Sequence, residues 1–430
     1  MHCSCPPRLL LLAYPFPPSR AIGAVRCWNI AKQLARIGWQ VQVVTIGARH
    51  IAHPEPGIDI EKACRQEGIH LRNTPAAGRL LMGGWFKLAG YQPTLLARLA
   101  RKAATRLKLD PAAPWIGAAV NACADLCPGQ TDVVLASGPP YPAFAAAVQI
   151  ARRLQAHAVL DYRDLWTGNP HYRHYANVRN HTKEKRLLAA ASALTVVSSA
   201  MAQSLTHTFG AGTPITTITN GYDPDEYQAT SEVIFPDYAV VYAGRFYPPH
   251  RVAAPLLAAI AHANTLGPSR PIRLYYYGND HAHVNEAAAK TNARNWLKYQ
   301  GNTSRAHVLV ALKSAPVGAV ITTVHPTAST EEQGILTGKL FEVVGAGSRV
   351  LLIAPAHSDA AILVNSSGVG AAFAGDQIEP MARWLVQQCN DPKPRDPAHS
   401  GAAFAWPNLA QRLDEFLRGV LARPLPPTPC

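Results

Sequence analysis

Apolar runs and amphipathic stretches alternate along the chain, and their spacing predicts parallel strands joined by helices. Short apolar runs at residues 8–14, 41–46 and 132–137 are typical of buried strands. The stretch that follows the loop 15–23, up to about Ile37, has helical periodicity, and Gly38 ends it. Because this helix connects the first two strands with short loops, they are predicted to be parallel with a right-handed crossover.

The same pattern runs to about residue 220 and then starts again. In the first half we predict further strands at 158–160, 194–197 and 215–219, and helices up to Leu154, over 176–191 and from Ser199. Residues 220–224 read NGYDP, which is strong turn chemistry. In the second half we predict strands at 240–243, 272–277, 297–300, 319–324, 350–354 and 369–374, with helices at 251–264, 303–314, 337–347, 358–365, 377–389 and 408–420.

This element order predicts an α/β protein with two doubly wound, Rossmann-like domains. We expect an N-terminal domain over 1–230, a C-terminal domain over 231–400, and a C-terminal helix and tail over 401–430. The two sheets are expected to face each other across a ligand cleft.

The stretch 337–347, TGKLFEVVGAG, carries the most suggestive chemistry. Thr337 is predicted to cap a helix with its hydroxyl. Lys339 and Glu342 are three residues apart and share one helical face. A helix N-terminus after a parallel strand attracts anions, so the Lys suits a phosphate and the Glu a ribose diol. The alternative is a surface Lys–Glu pair on a packing helix.

Two further loops follow predicted strands of the first half. Gly23 lies in the loop after the first strand, where a backbone can approach a phosphate closely, and Arg26 is one turn inside the helix. Neither GxGxxG nor a P-loop is present. Asp161, Arg163 and Asp164 follow another strand, where active sites lie in open α/β sheets. The alternative for these three is a structural Asp–Arg pair.

Composition and charge narrow the class of protein. With 48% hydrophobic and 16% charged residues, the chain is expected to be globular. No apolar run reaches 18 residues, so we predict no transmembrane helix, and the apolar run at 9–13 is too short for a signal peptide. The net charge is +14, and residues 1–225 hold 24 Lys and Arg against 12 Asp and Glu. Such a field favours a phosphate-bearing substrate, an anionic membrane or nucleic acid.

Residues 78–120 form a predicted helical insert with seven basic residues and one acid, Asp110. Leu, Met, Trp85 and Phe86 are interleaved with the basic residues. This segment is either a solvated basic face or a surface for anionic lipid or a lipid-linked acceptor. Nucleic-acid binding has only the net charge in its favour.

The eight cysteines contain no CxxC pair. Cys123 and Cys127 are four apart, but no matching His or Cys pair completes a zinc site. Reduced thiols in a cytoplasmic protein are the simpler interpretation.

Several motifs, taken in order, resemble those of family-4 retaining glycosyltransferases of the GT-B fold, most closely the sugar transferases of polysaccharide and glycoconjugate assembly. The motifs are Pro17-Pro18, Gly23-Ala-Val-Arg26, Ser137-Gly-Pro-Pro140, Asp161-Tyr-Arg-Asp-Leu-Trp166, Val197-Ser198, Thr219-Asn-Gly-Tyr-Asp223, Val241-Tyr-Ala-Gly-Arg245 and Lys339-Leu-Phe-Glu342. They cover about residues 8–390.

The resemblance implies a role for each matching residue. Arg245, Arg251 and Lys339 match cations that hold the donor diphosphate, and Glu342 matches the carboxylate that binds the nucleotide ribose. The remaining donor-side residues are Gly23, Arg26, Gly278, Thr337, Gly338 and Leu340. The acceptor-side residues are Asp161, Arg163, Asp164, Ser137, Gly138 and Trp166, and catalysis is assigned to Asp161, Arg163, Asp164, Arg245 and Lys339.

The resemblance also implies the reaction. A sugar moves from a nucleotide-diphosphate donor to a glycan, lipid-linked or small-molecule acceptor, with retention and with neither a metal nor another cofactor. The sequence departs from the family at Gly334, where the broader family has a Glu that touches the donor sugar. Two alternatives stay open: a sugar-nucleotide epimerase of the same fold, and a non-catalytic nucleotide-sugar or glycan-binding protein. The expected location is cytoplasmic, with possible peripheral contact to the inner membrane face through 78–120.

Overall fold

The computed structural model describes residues 5–51, 54–55, 57–76, 95, 98–99, 102, 106, 110, 112–169, 176–210, 212–228, 231–327, 330–391 and 401–426. The chain forms two compact units. The N-terminal unit comprises Met1–Ile218 and Leu409–Cys430, and the C-terminal unit comprises Thr219–Asn408. The C-terminal unit therefore begins about a dozen residues before the boundary expected near 230, and it includes the NGYDP turn.

The N-terminal unit is built on a parallel sheet, as predicted, but the sheet has seven strands where the sequence analysis predicts six. The strand order is β3-β2-β1-β4-β5-β6-β7. Its strands are β1 (Arg8–Leu12), β2 (Gln40–Ile46), β3 (His70–Thr74), β4 (Val133–Gly138), β5 (His157–Tyr162), β6 (Ala193–Val196) and β7 (Ile215–Thr217). Its helices are α1 (Ile22–Arg36), α2 (Ile60–Gln66), α3 (Trp115–Asn121), α4 (Pro142–Leu154), α5 (Val178–Ala190) and α6 (Ser199–Phe209).

The C-terminal unit has a six-stranded parallel sheet in the order β10-β9-β8-β11-β12-β13. Its strands are β8 (Tyr238–Ala243), β9 (Ile272–Tyr277), β10 (Leu297–Gly301), β11 (Val317–Ile321), β12 (Arg349–Ile353) and β13 (Gly370–Phe373). Its helices are α7 (Ala254–Thr265), α8 (His281–Lys290), α9 (Arg305–Ser314), α10 (Thr330–Gln333), α11 (Gly338–Gly345), α12 (Asp359–Ser367) and α13 (Ile378–Asn390). The last helix, α14 (Trp406–Leu421), belongs mostly to the N-terminal unit.

Most strands could be predicted from the sequence because helices cover both faces of each sheet. In β1 four successive leucines are buried, and β8 and β11 are also buried along nearly their whole lengths. Parallel strands with helices on both faces have continuous apolar runs rather than an alternating pattern. The predicted strand at 272–277 has the same bounds as β9.

The sequence analysis missed α2 and β3. The strand reads HLRNT, and only Thr74 is buried. It lies at the edge of the sheet, pairing with β2 alone. An edge strand can be held with few buried side chains, so its sequence has only a weak apolar pattern. Most of the insert at 78–120 lies outside the described residues, although the backbone at 95, 98–99, 102 and 106 is helical. Within the described part of the chain, no helix is long and apolar enough to cross a membrane.

The NGYDP turn positions α11. The Tyr222 N–H donates to the Phe404 carbonyl over 3.1 Å, and the Trp406 N–H donates to the Tyr222 carbonyl over 2.9 Å. The Tyr222 ring lies against Gly345 at the end of α11, where an added Cβ would come within 2.5 Å of the ring. The turn is thus a packing element rather than a linker.

Replacing Gly345 by Ala tests this packing. Helix propensity alone favours Ala by about 1 kcal/mol, whereas overpacking against Tyr222 costs about 1–3 kcal/mol. We expect the variant to have a lower free energy of unfolding, measured by chemical denaturation. Gly419→Ala in α14 is the control, because no atom lies within 4 Å of its added Cβ. Equal stability of both variants would contradict the packing role.

Candidate functional site

Two groups of candidate residues lie at the carboxyl ends of strands, one in each unit. In the C-terminal unit Lys339 is in the first turn of α11, and its Nζ lies 5.2 Å from the centroid of the Tyr242 ring. Gly244 makes room for this side chain. A Cβ at Gly244 would lie 2.2 Å from the Lys339 Nζ, and its φ of +117° is one that other residues rarely adopt.

The Lys339 ammonium is held in an environment that disfavours its charge. Burial lowers its pKa to about 8, and the positive charge of Arg251 contributes to the shift. Glu342 and Asp280 act in the opposite direction but do not restore the usual pKa. No carboxylate of the described residues forms an ion pair with Lys339. Among the described residues Lys339 thus has no direct anionic partner, a place that a bound anion could take.

Arg251 and Arg245 follow β8. The Arg251 guanidinium lies 5.4 Å from the centroid of the Tyr247 ring, and its buried Nε has no hydrogen-bond partner among the described residues. Arg245 is exposed, and its carbonyl accepts a hydrogen bond from the Tyr242 hydroxyl. The three predicted diphosphate cations thus belong to one end of the C-terminal sheet.

The turns after β8 and β9 support each other. A Cβ at Gly278 would come within 2.3 Å of the Tyr276 hydroxyl and 2.6 Å of the Gly244 carbonyl oxygen. The Tyr276 hydroxyl donates to the Gly244 carbonyl over 3.1 Å and accepts from the Asp280 N–H over 3.0 Å. Asp280 also accepts a hydrogen bond from the Phe246 N–H. Gly278 therefore serves the close approach of the two turns.

Glu342 is paired, but not with Lys339. Its Oε1 accepts a hydrogen bond from the Arg305 Nε over 2.9 Å, and its carbonyl accepts one from the Tyr227 hydroxyl over 2.9 Å. Arg305 also binds Glu226 through both terminal nitrogens. The sequence analysis missed Arg305 and Glu226, because no local pattern links positions this far from Glu342 along the chain.

Three predicted donor-side residues lie at the start of α11. Thr337 has the extended backbone of an N-cap, but its hydroxyl makes no capping bond and its buried Oγ1 has no partner among the described residues. The predicted hydroxyl cap is therefore wrong. Gly338 begins the helix and is half-buried. Leu340 is fully buried in the core, a placement that favours packing over ligand contact.

In the N-terminal unit Asp161 is a fully buried carboxylate with four donors. Arg26 donates to it through Nε over 3.0 Å and through Nη2 over 2.7 Å. The Ser137 and Thr195 hydroxyls each donate over 2.6 Å from the neighbouring strands β4 and β6. Burial opposes ionisation, but the Arg26 charge and these hydrogen bonds outweigh it and lower the pKa of Asp161. Arg26, only 2% exposed, also binds the Ile218 carbonyl.

This arrangement is the structural Asp–Arg pair that the sequence analysis left open, with Arg26 as the partner in place of Arg163. The four hydrogen bonds use all the lone pairs of the Asp161 carboxylate. Asp161, Arg26 and Ser137 are therefore better suited to hold the ends of β4, β5 and β6 together than to contact a substrate.

Arg163 lies against Gly23. Its Nε donates to the Gly138 carbonyl over 3.2 Å, and its Nη2 contacts the Pro139 carbonyl. An added Cβ at Gly23 would overlap the Arg163 guanidinium. The buried Nη1 of Arg163 has no partner among the described residues. In this structure Gly23 thus accommodates Arg163 at the N-terminus of α1.

The other acceptor-side candidates are mostly packing residues. Trp166 is 1% exposed and stacks on Tyr141 with centroids 5.0 Å apart. Gly138 lies against Phe144, so a Cβ there would come within 2.8 Å of that ring. Asp164 is half-buried, and its carbonyl accepts a hydrogen bond from the Tyr141 hydroxyl. Of this group, Arg163 and Asp164 retain exposed surface. Among the described residues, no group of three or more His, Cys, Asp and Glu is placed to hold a metal ion.

Removing the charge of Asp161 tests its structural role. Asp161→Asn keeps the shape but leaves the Arg26 charge buried without a counterion, which typically costs about 3–5 kcal/mol. We expect a loss of this order in the free energy of unfolding, measured with denaturant. Asp125→Asn, at an exposed carboxylate that pairs with Arg72, is the control and should change stability little. Similar stability of the two variants would contradict the role.

The comparisons with known proteins agree with the fold and the motifs. Residues 23–226 match the family model described as Glycosyltransferase Family 4. Among curated proteins, none matches the chain significantly.

Solved structures match over nearly the whole chain. Sucrose-phosphate synthase from Thermosynechococcus elongatus has a TM-score of 0.67 at 13% identity, covering 97% of this chain and 99% of that chain. HepE from Anabaena, in complex with UDP and glucose, has a TM-score of 0.58 at 13% identity, covering 96% and 99%. Trehalose 6-phosphate synthase from Burkholderia multivorans has a TM-score of 0.58 at 13% identity, covering 97% of each chain. The chain therefore has the GT-B fold of these structures, and its residues 23–226 are similar to the family-4 glycosyltransferases.

Proposed function

We propose that the chain transfers a sugar from a nucleoside-diphosphate donor to an acceptor hydroxyl, with retention and without a metal ion. The observation that carries this proposal is the pair of cations Lys339 and Arg251 near the carboxyl end of β8, neither of which forms an ion pair with a carboxylate of the described residues. HepE binds UDP and UDP-glucose on the same fold, which supports a nucleotide-sugar donor.

The chemistry needs such cations. Breaking the bond between sugar and diphosphate places negative charge on the leaving phosphate. Lys339, Arg251 and the exposed Arg245, with the N–H groups at the start of α11, can stabilise that charge without a metal. Retention then follows if the acceptor attacks from the side of the leaving group and the departing phosphate takes the acceptor proton, so no protein nucleophile is required.

Gly334 favours one alternative, a binding protein without transfer activity, because the family's donor-sugar Glu is absent there. Such a protein would bind nucleotide sugar but not consume it. An epimerase of the same fold would turn over the donor without acceptor. Donor consumption with and without acceptor therefore separates the three functions. The same assay, run with hexosyl and with N-acetylhexosaminyl donors, determines which type of group is transferred.

The acceptor is proposed to be a glycan or a lipid-linked molecule at an anionic membrane surface. Leu95 and Leu99 are 74% and 55% exposed, and Arg98, Lys102 and Arg106 are also exposed. Spacings of three and four residues place these five side chains on one helical face. Exposed leucines beside basic residues suit contact with a bilayer that carries negative charge.

Nucleotide binding should require Lys339. In a thermal-shift screen with UDP, GDP and dTDP, with and without Mg²⁺, one nucleotide at about 100 times its Kd should stabilise the protein by roughly 2.7 kcal/mol. Lys339→Ala should remove most of that shift, because the diphosphate loses one of its three proposed cations. Lys290→Ala, which removes an exposed charge from α8, is the control. Wild-type protein with no shift for any nucleotide would contradict the proposed function.

The low pKa of Lys339 adds a pH dependence to the same measurement. Above pH 8 the free ammonium loses its proton, so nucleotide affinity should fall by up to about tenfold per pH unit. Lys339→Arg stays charged in this range and should show little change between pH 7 and 9.

Membrane contact can be measured by vesicle sedimentation. Replacing Arg98, Lys102 and Arg106 by Gln should weaken binding to phosphatidylglycerol-containing vesicles roughly 100-fold, at about 1 kcal/mol for each basic residue. Nucleotide binding should be unaffected. The control is the triple Gln variant at Arg294, Lys298 and Arg383, which removes the same charge from the C-terminal unit. Equal binding of both triple variants would show that the helical face is only solvated.

A further inference from the structure

Arg305 joins two carboxylates from separate parts of the C-terminal unit. It is the first residue of α9, and Ser304 caps that helix by accepting a hydrogen bond from the His307 N–H. Its Nε donates to Glu342 Oε1 over 2.9 Å, and its Nη1 and Nη2 bind the two oxygens of Glu226 over 2.5 and 2.9 Å. All five guanidinium donors lie on one rigid plane, so the bidentate pair with Glu226 fixes the direction of the Nε–H.

The network restricts Glu342 from both ends. The Tyr227 hydroxyl holds its carbonyl and Arg305 holds its Oε1, and Tyr227 directly follows Glu226 in the 3₁₀ helix Pro224–Tyr227. A glutamate side chain otherwise samples many rotamers, and ordering it on ligand binding costs free energy. Here that ordering is already present in the protein.

The carboxylate still has capacity for a ligand. No described residue hydrogen-bonds Glu342 Oε2, and the Glu342 side chain is 21% exposed. The same helical turn carries Lys339, the cation assigned to the diphosphate. An acid that accepts hydroxyl hydrogens therefore lies one turn from a cation that attracts phosphate, as a nucleotide with a ribose diol requires.

We propose that Arg305 is a positioning residue, which with Glu226 holds Glu342 in the orientation that accepts hydrogen bonds from the ribose hydroxyls of the donor nucleotide. This inference rests on the proposed function. It makes the ion-pair network the source of discrimination between ribonucleotides and 2′-deoxyribonucleotides. A purely structural brace between α9, α11 and the 3₁₀ helix would have no such selectivity.

The test compares UDP with 2′-deoxy-UDP by calorimetry or thermal shift. The wild type should bind UDP about tenfold more tightly, the loss typical of one hydrogen bond to a charged group. Arg305→Met removes the donors but keeps the apolar stem, so its UDP affinity should fall to near that for 2′-deoxy-UDP. Arg305→Lys should recover part of the preference, and Glu226→Gln should reduce it less than Arg305→Met.

The outcomes separate the two proposals. If the wild type binds none of UDP, GDP and dTDP, the proposed function fails. If it binds UDP but does not prefer it to 2′-deoxy-UDP, or if Arg305→Met retains that preference, the positioning role fails. An equal loss of affinity for both nucleotides would likewise overturn it, since that pattern indicates a structural brace. Arg383→Met, in an exposed pair with Glu379, controls for loss of an arginine charge.

Discussion

A partly buried lysine ammonium, Lys339, lies at one end of the sheet of the C-terminal unit, and no described carboxylate forms an ion pair with it. Desolvating a cation is unfavourable, and the nearby Arg251 increases the cost. The surroundings accommodate it without neutralising it: Gly244 leaves the space, and the Tyr242 ring offers the face of its π system at 5.2 Å. A site that is unfavourable when empty gains more from an incoming polyanion, because the ligand supplies the missing charge in a dry environment.

The buried charge of the N-terminal unit, by contrast, is fully paired. Asp161 is equally far from water, but two hydroxyls and a bidentate guanidinium satisfy it completely. Such a group no longer has binding capacity, and its value lies in fixing the strand ends around it. Charged residues at the strand ends of the two units thus differ: Asp161 is saturated with hydrogen bonds, whereas Lys339 has no ion-pair partner among the described residues.

Local sequence patterns predicted most strands and helices, and the charged residues at the start of α11. A helix that starts after a buried strand can be recognised within about ten residues of sequence. The polar edge strand β3 was missed since one covered face leaves little apolar pattern. Partners could not be predicted in the same way. Arg26 and Asp161 were both candidates, yet only the fold brings together residues 135 positions apart. The Arg305 contact to Glu342 spans 37 positions and has no local signature.

The NGYDP turn, which looked like the end of one domain, has a consequence for how the chain can be divided. Tyr222 buttresses Gly345, Glu226 holds Arg305, and Tyr227 holds Glu342. A fragment starting at residue 231 would keep every strand of the second sheet and lose all three of these supports. A fragment of the C-terminal unit therefore keeps these three contacts only if it includes the nine residues 219–227, which precede its first strand.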